Sequence, residues 1–219
     1  LLNVFFGPVV NAARAIAFQI QGAVLQFVSN FMTAVRPQVI KNYAEGNVER
    51  MYSLTFYTAK FSYMLMLALV VPICCEIKFI LHLWLGDAVP ENTALFAVLV
   101  LVTYTWRTFH IAALMPFHAI GNIKTGNVTI GSLMIASLPI GYVLFKIGLP
   151  AYSVFLVIFA IEIVGMFAIY WLIHNYEYFP YLDIFRKILM PSTAVTLLTV
   201  ALPLFIIHFM EEGWLRLIL

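Results

Sequence analysis

Six stretches of roughly 20 mostly apolar residues, separated by short polar breaks, limit what this chain can fold into. In hydrocarbon each backbone N–H and C=O must find its partner within the protein, which an α-helix provides segment by segment. The sequence predicts spanning helices at about 9–35, 61–80, 93–118, 128–145, 152–173 and 188–209. Composition agrees: 63% of residues are hydrophobic, 10% are charged and mean hydropathy is +0.99. A soluble domain could not cover that much apolar surface. The expected fold class is therefore all-α, a polytopic membrane bundle.

The breaks carry turn chemistry. Gly7-Pro8 opens the first segment, and Arg36-Pro37 through Lys60 is the only extended hydrophilic stretch, with Ala44-Glu45-Gly46-Asn47 marking a helix end. Pro72 falls inside the second segment, where a membrane helix tolerates a kink. Gly86 to Asn92, Gly121 to Asn127 and Gly148-Leu149-Pro150 turn the chain again. Alternate connections hold Arg36, Lys41, Arg50, Lys60, Lys124, Arg186 and Lys187, against Lys78, Lys146 and Arg216 on the other side. Seven basic residues against three predict that the richer side is cytoplasmic and that the first helix runs inward.

Several functions are disfavoured. A net charge of +2 with scattered Lys and Arg does not suit nucleic acid. Cys74 and Cys75 are adjacent in an apolar run, which suits packing better than metal ligation or a redox pair. There is no GxSxG, P-loop, HExxH or Cys/His cluster, so neither an enzyme nor a cofactor is expected. The chain opens on Leu1 without an initiator Met, and its apolar tail from Trp214 has no room to span, so it reads as a fragment cut at both ends.

Polar residues at membrane depth mark the candidate site. At 100° per residue, Asn11, Arg14, Gln19, Gln21, Gln26, Ser29, Asn30 and Thr33 share one half of the first helix, opposite Val9, Ala13, Ile16, Val24, Phe27 and Phe31. Such a half is expected to line a cavity, although amides also simply bind neighbouring helices. Arg14, one turn into the span, suits phosphate or carboxylate recognition, with snorkelling as its plainer alternative. In the third segment Thr103, Arg107, His110 and Leu114 share a face, and Arg107 sits too deep to reach an interface. It needs an anion, either Glu162 of the fifth segment in a permanent bridge or a ligand phosphate. Glu162 could also change protonation if its partner leaves, while His110 reads more readily as a packing residue than as a proton carrier.

These residues support a named comparison. Leu2 through Ala17 (LNVFFGPVVNAARAIA) resembles a stretch of polysaccharide (Wzx-type, O-antigen) flippases, which belong to the multidrug/oligosaccharidyl-lipid/polysaccharide exporter superfamily. The likeness continues through Phe27 to Phe31, Arg36-Pro37-Gln38 and Tyr43 to Gly46, with echoes at Phe79 to Leu85 and Gly121 to Lys124. It is specific over the first fifty residues and mainly one of spacing beyond them.

The resemblance implies a two-lobed, MATE-like transporter that alternates access about a cationic cavity, of which this chain supplies most of the second lobe. The partners it implies are a lipid-linked oligosaccharide, the lipid bilayer and a first lobe lying outside this sequence. The implied location is the bacterial inner membrane. By that likeness Arg14, Arg36, Arg107 and His110 help hold a pyrophosphate, while the amides face sugar hydroxyls. The nearest rival is a cation-coupled drug exporter of the same superfamily, which would favour acidic walls. A membrane-embedded glycan-pathway transferase or a non-transporting scaffold are further alternatives; the first would need a catalytic cluster in a large loop, and the second would leave the polar faces unexplained.

Overall fold

The computed structural model describes residues 1–177 and 181–209 of the 219-residue chain. The described residues are almost entirely helical, and six helices are long and apolar enough to cross a membrane. Trp214 and Arg216, used above for the tail and for topology, lie outside the described residues.

Helix α1 (Leu2–Ala44) is longer than the apolar text suggests. Its 43 residues correspond to roughly 65 Å at the α-helical rise, twice a hydrocarbon core. Gly7 breaks it with φ 82°, a left-handed value open to glycine, just ahead of Pro8. The hydrophilic stretch at 36–60 is therefore not a loop. Helix α1 runs through Pro37 to Ala44, α2 (Val48–Cys75) begins three residues later, and only Glu45–Asn47 turns. Asn47 caps α2 by accepting a 3.1 Å bond from the Arg50 N–H, and Gly46 takes φ 75°. Polarity here marks where helices leave hydrocarbon rather than where they end.

The expected single segment at 61–80 is divided. Helix α2 ends at Cys75, one turn after Pro72, and α3 (Ile77–Leu85) starts after Glu76, whose N–H bonds Pro72 O at 3.1 Å. Lys78, His82, Leu83 and Trp84 of α3 are exposed, the mixture expected of a helix at an interface. Then follow α4 (Thr93–Ile120), α5 (Ile123–Lys146), α6 (Ser153–Glu177), the short α7 (Tyr181–Asp183), a π-helical segment (Ile184–Leu189) and α8 (Met190–Phe209).

Helix α4 is the hub, packing extensively against α1, α2 and α6. Ala13 and Ala17 are fully buried on α1, and their small side chains let α4 approach beside Ala97 and Leu101. Toward the other end Met66, Phe109, Met115 and Tyr170 form the core, with Tyr63 stacked on Phe109 at 4.5 Å. Buried hydroxyls return to their own helices: Thr55 to Met51 O, Thr105 to Leu101 O and Thr108 to Thr105 O. Gly126 of α5 lies so close to α4 that a Cβ there would fall 2.7 Å from Leu114 Cδ2.

Candidate functional site

Arg107 lies fourteen residues into α4, about 21 Å along the axis. Its charge is met by protein. Its Nη1 donates to Glu162 Oε1 of α6 at 3.2 Å. The second carboxylate oxygen, Oε2, lies 2.8 Å from His110 Nδ1, an ion-pair distance without hydrogen-bond alignment. Glu162 and His110 are sealed, with side chains 0% and 2% exposed, whereas Arg107 is 29% exposed. The guanidinium is thus the partly exposed end of an otherwise buried cluster. Periodicity places Arg107 and His110 on one α4 face, three residues apart, and the tight α4/α6 packing brings Glu162 to both.

Aromatic rings extend this cluster to α1. The Arg107 guanidinium stands 5.0 Å over the Tyr104 ring, and Tyr104 meets Phe18 of α1 edge to face at 6.3 Å. Phe18 in turn carries the Arg14 guanidinium at 4.8 Å. Each arginine rests on a ring of its own helix, and the two rings touch across the α1/α4 seam. Arg14 is exposed and lines a groove of about 310 Å³ together with Asn3, Asn11 and Ser137. The groove runs between α1, α5 and α6, and Leu2, Leu138, Val154, Phe155 and Ile158 supply its apolar walls beside these polar groups.

The amide face of α1 divides on closer view. Asn11, Gln19, Gln26 and Asn30 are exposed, and Gln26 Nε2 bonds Asn30 Oδ1 at 3.1 Å along the helix. Gln21 does not join them. It is 5% exposed on the packed stripe of Ala17, Val24 and Val28, because 100° per residue sets it at the polar half's edge, where α4 and α2 cover it. Between the exposed amides lie Ala15, Gly22 and Ala23, also exposed, with Thr33 beyond them, and Phe27 at 66% exposure interrupts the small and polar groups of this face.

Phe18 and Tyr104 escaped the sequence reading, although their spacing from Arg14 and Arg107, four and three residues, was a usable signal. So did Glu76, buried at the α2/α3 break with 1% exposure. An acid directly after an apolar Cys-Cys pair was its only mark. Cys74 and Cys75 are both half-buried and form no disulfide among the described residues.

No protein-family model, no curated protein and no solved structure matches this chain.

Proposed function

We propose that this chain is part of a flippase that moves a lipid-diphosphate-linked oligosaccharide across the bacterial inner membrane by alternating access. One observation carries the reading: a membrane-depth helix face of amides and small residues is continuous, through two touching rings, with two arginines that both reach open space. A charge at mid-depth costs a few kcal/mol in lipid, so such a face requires water, ligand or polar protein before it. Arginine forks answer a diphosphate, and Asn and Gln answer sugar hydroxyls. The lipid tail stays in the bilayer and no covalent step is needed.

The buried cluster also bears on the rival drug exporter. Glu162 is already neutralised by Arg107 at 3.2 Å with His110 beside it, which leaves no free acid there for an organic cation. The test is transport by the full-length protein. Arg14→Ala and Arg107→Ala are expected to insert normally and to lower surface glycan. Wild-type glycan in both variants would refute the assignment.

A further inference from the structure

Two further cavities lie along α2, the first against the π-helical segment and the second against α4 and α8, and none of the residues assigned above lines either. The first, about 750 Å³, is bounded by Lys60, Arg186 and Lys187 and by the rings of Tyr52, Phe56 and Tyr57. Glu49 and Asp183 also face it, so three cations meet two carboxylates, and Lys187 Nζ is held by Asp183 at 2.6 Å. Lys60 Nζ sits 5.3 Å over the Tyr57 ring. Arg186 and Lys187 belong to the π-helical segment, a wider turn that is frequent at functional positions.

The second cavity, about 320 Å³, is almost purely apolar, with Leu67, Val70, Val102, Trp106 and Val200 among its walls. On α2 the two share one stripe: Tyr52, Phe56 and Lys60 continue at helical spacing into Tyr63, Leu67 and Val70. Tyr63 Oη and Thr196 Oγ1, 2.9 Å apart, fasten α2 to α8 at the junction. From Lys60 to Val70 is about 15 Å along the axis, half the thickness of a hydrocarbon core.

We propose that this furrow holds an anionic glycerophospholipid of the cytoplasmic leaflet as a resident ligand. Its phosphate sits among Lys60, Arg186 and Lys187, and one acyl chain fills the apolar cavity. A positive end and an apolar end, separated by one leaflet depth, fit an amphiphile and leave half the furrow unused by a soluble anion. The basic side of the bundle is the cytoplasmic one by its excess of Lys and Arg. This lipid is distinct from any transported cargo, and the assignment stands independently of the transport reading.

The experiment is native mass spectrometry of the full-length protein released from bilayers containing phosphatidylglycerol and phosphatidylcholine. Phosphatidylglycerol is expected to be retained preferentially, and Lys60→Gln with Arg186→Gln to weaken retention on the order of tenfold. Val102→Trp blocks the apolar cavity from its exposed side, leaves the cations in place, and is expected to lower retention as well. Phosphatidylglycerol brominated in its acyl chains should quench protein fluorescence less in Trp106→Phe than in the parent. Equal retention of the two lipids, or unchanged retention in Val102→Trp, would overturn the proposal. Displacement by millimolar glycerol 3-phosphate would overturn it in favour of a soluble phosphate ligand.

Discussion

Helices α1 and α5 both carry long open faces, yet those faces differ in kind. Helix α5 exposes Val128, Ile135, Leu138, Ile140 and Val143, side chains that lipid solvates well. Helix α1 exposes Asn11, Gln19, Gln26, Asn30 and Arg14 among alanines and a glycine, with Val9 and Phe27 interleaved. Exposure alone is therefore a poor guide to what a membrane helix faces. Side-chain chemistry separates a surface meant for acyl chains from one meant for water, ligand or another polar helix.

If that distinction is right, charge is tolerated at α1's open face and punished elsewhere. The severest break lies inside, where Glu162→Leu strands Arg107 and His110 beside each other. A loss of about 3–5 kcal/mol is expected, read as a lower unfolding midpoint of the purified protein, with Glu162→Gln milder. Next comes Ile135→Lys on α5, expected to cost about 2.5–3.5 kcal/mol of insertion, against no measurable cost for Gln19→Lys on α1. A membrane-insertion assay decides between them, and equal penalties would erase the contrast between the two faces. Arg14→Ala should leave stability within about 0.5 kcal/mol while transport falls on the order of tenfold, as surface glycan reports. The smallest effect is expected for Phe18→Leu, at most about 0.5 kcal/mol of lost ring contact, visible as a slightly weaker response to an added Arg14→Ala in a double-mutant cycle.

How much of this was legible beforehand varies by element. Spans at α4 and α6 follow their apolar runs to within four residues, whereas α5 begins at Ile123, five residues before its apolar run and inside the polar stretch expected to be a connection. Helix and apolar run also part company at 36–60, where polar helix extends past the bilayer, and at Glu76, where Pro72 ends a helix one turn later instead of bending it. For the site, helical periodicity aligned Arg107 with His110, but the meeting with Glu162 depends on how α4 and α6 pack, which no spacing encodes. Gln21 was misgrouped for the same reason, since the wheel shows angles and not which neighbour covers them.

The long α1/α2 hairpin has a mechanical consequence. Val39 and Met51, both fully buried, lock the two rods together beyond the apolar spans, and the connecting turn is only three residues. A tilt of α1 by a few degrees at Arg14 would swing its far tip by a few ångströms, since the helix runs roughly 45 Å from Arg14 to Ala44, beyond the break at Gly7. On the transport reading, a movement at Arg14 is expected to displace that remote polar surface, and a crosslink across the turn to arrest it.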